Sequence, residues 1–123
     1  MKKNFVVYTF IIFILSSINI FAQRVVDSDK LEYNQKTQLY HYGNEKEPFT
    51  GIEKAYYEDK SLKYELPYKN GQMDGVAKEY YPSGKIKIEE PYKNGQIDGV
   101  AKAYDESGKV IQQATFKNGE QVK

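Results

Sequence analysis

The chain has 123 residues, with 18 basic and 17 acidic side chains, 15% aromatics and no cysteine. A balance this even gives no long-range attraction to nucleic acid or to acidic membranes. With no cysteine there is no disulfide and no thiolate metal site, so stability falls to strand pairing and apolar burial.

The first segment reads as an export signal. Lys2 and Lys3 make a positive start, an apolar run extends from Phe5 to about Leu15 and resumes at Ile18, Ile20 and Phe21, and Ala22 precedes Gln23. A charged start, an apolar stretch and a small residue at the boundary are the layout of a secretory signal peptide. Residues 1–22 are therefore expected to form a signal helix, cut between Ala22 and Gln23. Thr9, Ser16, Ser17 and Asn19 interrupt the run and argue against a permanent anchor. The processed protein is expected in the periplasm, the outer envelope or the medium. Removing Lys2 and Lys3 turns the formal charge from +1 to −1. The remainder is long enough for one domain. Of twelve tyrosines all but Tyr8 lie there, and tyrosine favours strands.

Residues 23–47 are expected to form a leader and either a degenerate first repeat or an N-terminal cap, with residues 27–30 mobile. Residues 48–123 form a repeat domain. Residues 68–91 and 92–115 are one 24-residue unit written twice, identical at 14 positions without a gap. The period extends upstream: Gly51, Gly75 and Gly99 fall in register, as do Tyr56, Tyr80 and Tyr104, and Tyr68, Tyr92 and Phe116. A unit so short cannot bury a core alone and must lean on its neighbours.

Within each unit the period is two. Asn70-Gly71 and Asn94-Gly95 predict type I′ hairpins, because that turn needs positive φ at both central residues. Ser83-Gly84 and Ser107-Gly108 mark the opposite turns, with Asp59-Lys60 in that place one unit earlier. Strands are predicted over residues 51–57, 62–69, 73–81, 86–93, 97–105 and 110–117. The fold expected is all-β, a single elongated antiparallel meander of stacked hairpins. Pro67 and Pro91 lie inside strands and cannot donate to a ladder, so a bulge or broken pairing is expected at each. With two-residue turns throughout, Tyr57, Leu62, Tyr64, Leu66, Tyr68, Met73, Tyr81, Ile86, Ile88, Tyr92, Ile97, Val110 and Phe116 share one face. Lys54, Tyr56, Lys78, Tyr80, Lys102 and Tyr104 share the other. A turn one residue longer flips the following strand.

The motif Tyr-Lys-Asn-Gly-Gln-x-Asp-Gly, then Tyr, then Ser-Gly-Lys, resembles the bacterial variant of the MORN repeat (membrane occupation and recognition nexus). Residues 68–75 and 92–99 carry the likeness best, and Pro48-Phe49-Thr50-Gly51 looks like the opening of the first clear unit. The resemblance covers about residues 48–120. It implies stacked β-hairpins. It also implies two functional readings: proteins with this variant are often labelled YwqK-type antitoxins, and eukaryotic relatives are associated with membrane contact and protein scaffolding.

No catalytic constellation is legible. The chain after the signal has one histidine, His41, and its serines 83 and 107 occupy turns, so no triad is expected. His41 is read as a strand residue on a half-exposed surface. Asp74 and Asp98 recur before glycines as turn formers, with no dense acidic loop to hold calcium. Glu89 and Glu90 alternate sides of a strand and cannot act on one bond. Neither metal nor cofactor is expected. The remaining candidate is the periodic stripe of Lys54, Lys78 and Lys102 with Tyr56, Tyr80 and Tyr104, suited to stacking on sugars or holding an extended peptide. The expected function is a non-enzymatic, exported module for protein or envelope contacts. An antitoxin or immunity-type partner and a glycan- or lipid-binding module are the alternatives. Partners are a protein, an envelope glycan or a membrane surface, and the open sheet edges offer self-association.

Overall fold

The computed structural model describes residues 23–123; the signal segment and Ala22 lie outside the described residues. The strands in chain order are β1 (Val25–Asp27), β2 (Leu31–Asn34), β3 (Leu39–Tyr42), β4 (Gly51–Tyr56), β5 (Leu62–Lys69), β6 (Gln72–Met73), β7 (Gly75–Tyr80), β8 (Ile86–Lys93), β9 (Gln96–Ile97), β10 (Gly99–Tyr104), β11 (Val110–Lys117) and β12 (Glu120–Val122). The long sheet runs β1-β4-β5-β7-β8-β10-β11-β12, with β6 on β5 and β9 on β8. All its pairings are antiparallel except β1 with β4. The all-β repeat meander expected from the sequence is the fold observed.

The Asn-Gly turns form as read. Asn70, Asn94 and Asn118 have φ of 51°, 51° and 50°, and the glycines after them 79°, 79° and 83°. Lys69 pairs with Gln72 across a two-residue loop. Each turn also ties to the unit before it: the Gly71, Gly95 and Gly119 amides donate to the carbonyls of Phe49, Met73 and Ile97 at 2.7, 2.9 and 2.9 Å.

The opposite turns are one residue longer than expected. The Tyr81 amide donates to the Lys85 carbonyl at 2.8 Å, which leaves a three-residue loop with Gly84 at φ 87°. That extra residue shifts the register by one, and a bulge at Lys87 shifts it back. Tyr80 pairs with Ile86, but Glu79 already pairs with Ile88. The same correction occurs at Lys63 and Ile111. Beyond the bulge the strands keep the register that two-residue turns would give. Tyr64, Leu66, Tyr68, Met73, Ile88, Tyr92, Ile97 and Phe116 therefore share a face as expected. On the turn side of the bulge the pairing differs, and Tyr56 faces Leu62 rather than Lys63.

The prolines interrupt the ladder on one side only. Pro67 stays opposite Ile52 of β4. On its other side β5 pairs with β6 at Tyr68–Lys69 and with β7 at Tyr64–Glu65, skipping the proline between. The Pro67 carbonyl accepts from the Asp74 amide at 3.0 Å, and Pro91 from Asp98 at 2.8 Å. In an antiparallel strand a residue's N–H and C=O point the same way, so the missing donor weakens the ladder on that side. This is why the long strand expected over residues 73–81 is split at Asp74.

The N-terminal part differs most from expectation. Residues 27–30, expected to be mobile, are the end of β1 and a turn of 3-10 helix (Ser28–Lys30). Strands β2 and β3 form a separate hairpin sheet rather than a first unit of the ribbon. The cause is apolar burial. Val26, Phe49 and Tyr68 are 7%, 1% and 6% exposed, and Leu31, Tyr40, Tyr42, Leu66 and Met73 pack around them. Tyr40 meets Tyr68 edge-on with ring centres 5.2 Å apart. Outside this cluster Arg24 forks onto the Glu45 carboxylate, both bonds 2.8 Å, and lies 4.3 Å over the Tyr42 ring. The cap thus covers the sheet face of the first unit, and the faces of the later units stay open.

Candidate functional site

The lysines of the expected stripe do fall in one cross-strand row. The row reads Lys54, Glu65, Lys78, Glu89, Lys102 and Gln113, each residue opposite the next. Lys54 Nζ lies 3.3 Å from Glu65 Oε1. Alternating signs make this row an internal ladder of opposite charges. Tyr56, Tyr80 and Tyr104 lie one register step nearer the turns, opposite Leu62, Ile86 and Val110. Tyr56 is half exposed. Burial first, then the charges of Glu65 and Glu89, push the Tyr80 hydroxyl above its ordinary range. The structure therefore brings the lysines together with glutamates that the stripe reading did not include.

The opposite face carries a second periodic arrangement. Glu53 faces Leu66 across β4 and β5, and one unit on Ala77 faces Glu90 across β7 and β8. The carboxylate has crossed the ladder. In both units the tyrosine of the next column finds it: Tyr68 donates to Glu53 at 3.0 Å and Tyr92 to Glu90 at 3.1 Å. In the third unit Ala101 faces Ala114, and the tyrosine column becomes Phe116. Where the acid is absent, so is the hydroxyl. Glu53 is 7% exposed and also accepts from Tyr64 at 3.1 Å. A buried carboxylate without hydrogen bonds would be costly, and these two donors meet that need.

Small residues in this face leave a groove that repeats with the chain. One stretch of about 300 Å³ is lined by Tyr64, Leu66, Ala77, Glu79, Ile88 and Glu90. The next, of about 190 Å³, is lined by Ile88, Glu90, Ala101, Ala103, Ala114 and Phe116. Ile88 and Glu90 line both, so the two stretches lie side by side across neighbouring units.

A family model described as MORN repeat variant matches residues 49–70, 73–94 and 97–118, more than half of the chain. The chain belongs to the MORN repeat variant family. No curated protein and no solved structure matches it. MORN repeats are non-catalytic modules that generally bind proteins or membranes.

Each MORN unit here supplies one hairpin, and the two stretches of groove lie over the second and third units. Sequence reasoning placed Leu66, Ile88 and Phe116 on this face but missed Glu53, Ala77, Glu90 and Ala101. The signal was present in the repeat columns: Glu53, Ala77 and Ala101 occupy equivalent places, and only the capped unit carries an acid there. His41, read as half exposed, is buried at 9%. Its Nδ1 lies 3.1 Å from the Glu47 carbonyl and its Nε2 3.4 Å from Thr37 Oγ1, so the imidazole fixes the cap hairpin. Among the described residues no cluster of three or more His, Asp or Glu side chains is placed to hold a metal ion.

Proposed function

We propose that this chain is an exported protein-binding module that holds an extended segment of a partner protein along the groove of its second and third units. The observation that carries the reading is the groove's repetition over β7–β8 and β10–β11, on a face that the molecule's own cap covers only over the first unit. The cap is an internal precedent for the occupant. Its hairpin presents Leu31 and Tyr40 to the face, so a partner strand with apolar side chains suits the open units. Glu90 favours a basic side chain in that segment, because no described cation pairs with it.

The test is photo-crosslinking in producing cells. A photoreactive residue at Ala101 is expected to trap a discrete partner, and the same residue at Val76, exposed on the opposite face, is expected to trap none. Equal trapping at both sites, or none at Ala101, rejects the groove. Mass analysis of the protein recovered outside the cytoplasm tests export, with Gln23 the expected first residue. The antitoxin alternative rests on the resemblance alone, and rescue of growth on co-expression with a neighbouring toxin-like product is its test. For a glycan or lipid on the Lys/Tyr stripe, the Tyr80→Ala, Tyr104→Ala double variant is the discriminating change.

A further inference from the structure

The last long strand has an edge unlike those before it. The inner side of β11 pairs with β10 from Val110 to Phe116, but its outer side meets β12 only at Thr115, Phe116 and Lys117. Among the described residues nothing pairs with the outer side of residues 110–114. In β5 and β8 the following unit pairs at Tyr64–Glu65 and Ile88–Glu89. The equivalent place in β11 belongs to Gln112 and Gln113.

The side chains change at the same point. The five-residue stretch that opens β5 carries Lys63 and Glu65, and that of β8 carries Lys87, Glu89 and Glu90. In β11 it reads Val110-Ile111-Gln112-Gln113-Ala114, with no charge. Open strand edges are ordinarily guarded by charge, above all by lysine. Here the bulge column loses its lysine in the one unit where it would guard an edge, and Ile111 stands 63% exposed beside Val110 at 42%. The hydroxyl tie to a following unit ends too. Asp105 replaces Tyr57 and Tyr81 and turns inward, accepting from the Ser107 and Lys109 amides of its own turn at 2.9 and 3.0 Å.

Two identical strands that pair about a two-fold axis place each residue near the axis against its own copy or its neighbour. A lysine or glutamate there would meet its like and destabilise the pair. Glutamine amides donate and accept, so they can bond one another. We infer that β11 pairs antiparallel with β11 of a second copy of this chain through residues 110–114, giving a two-fold dimer with one sheet continuous across the axis.

Such an edge contact buries less than the roughly 1,200 Å² of a standard interface. A dissociation constant in the micromolar range is expected, visible as dimer at about 100 μM. The experiment is analytical ultracentrifugation of the protein purified from cells producing the full-length chain. The wild type is expected to sediment as a dimer. The Ile111→Lys, Gln113→Glu double variant restores the charges of the inner units and is expected to sediment as a monomer with an unchanged circular dichroism spectrum. Because the chain has no cysteine, a Gln113→Cys variant treated with a short bis-maleimide gives a second, independent readout. It is expected to form a covalent dimer, while a Ser83→Cys control stays monomeric. A wild type that remains monomeric at that concentration overturns the inference. So does a dimer that survives the charged variant while Gln113→Cys is not joined.

Discussion

Tyr68 donates its hydroxyl proton to Glu53 at 3.0 Å, where the cap meets the first repeat. Burial first, and the Glu53 charge second, push this hydroxyl far above the ordinary tyrosine value of 10.0. A group whose pKa rises on folding stabilises the fold fully below its unfolded value and loses that contribution as pH climbs through the folded one. Above the ordinary value the unfolded chain releases a proton that the folded chain keeps. The melting temperature should therefore stay level up to about pH 10 and fall beyond it. Tyr64, raised in the same way by burial, acts in the same direction. Thermal melts across alkaline pH check this, and Tyr68→Phe should flatten the fall.

The same pair should show coupling. Hydrogen bonds to a charged acceptor contribute about 1.5–3 kcal/mol. A double-mutant cycle of Glu53→Ala and Tyr68→Phe, read by denaturant unfolding, should return a coupling of that order. Phe116→Tyr should change stability by no more than about 0.5 kcal/mol, because Ala101 and Ala114 offer the new hydroxyl no acceptor.

The Tyr57 hydroxyl donates to the Tyr80 carbonyl at 2.6 Å, and Tyr81 to Tyr104 at 2.7 Å. Each bond ties one unit to the next. Tyr57→Phe and Tyr81→Phe should each cost about 1 kcal/mol. The bonds share no residue, so the two losses should be close to additive in thermal melts of the single and double variants.

Gly71 and Gly95 have the same φ of 79° but different surroundings. A Cβ on Gly71 would lie 2.7 Å from Leu39 Cβ and 3.0 Å from the Tyr40 carbonyl, whereas on Gly95 its nearest neighbour would be 3.7 Å away. Both alanine variants carry the left-handed penalty of about 1–2 kcal/mol. Gly71→Ala should lose about 1–3 kcal/mol more by displacing the cap. Hydrogen exchange at the Tyr40 amide, which donates to the Gly71 carbonyl, should accelerate in Gly71→Ala alone.

The repeat domain was legible because its signals are local. Asn-Gly fixes a turn by backbone sterics, and alternation along residues 62–69 or 86–93 fixes a strand. The three-residue loop at Pro82-Ser83-Gly84 was not legible, since Ser-Gly fits either loop length and the Tyr81–Lys85 pairing that shows which was adopted is a matter of backbone geometry. The packing of the cap was not legible for a different reason. Val26 and Phe49 give no periodic signal, and their burial depends on Tyr68, more than forty residues from Val26 in the chain. The groove was half legible: its apolar columns alternate visibly, but the transfer of the acid from Glu53 to Glu90 requires the cross-strand partners to be known.

The paired departure at each distal turn has an evolutionary consequence. The long loop and the bulge after it cancel, so no phase error passes from one hairpin to its successor. Whole units can then be duplicated or deleted without turning a downstream side chain inside out. The gapless match of residues 68–91 with 92–115, identical at 14 positions, is what such copying leaves behind.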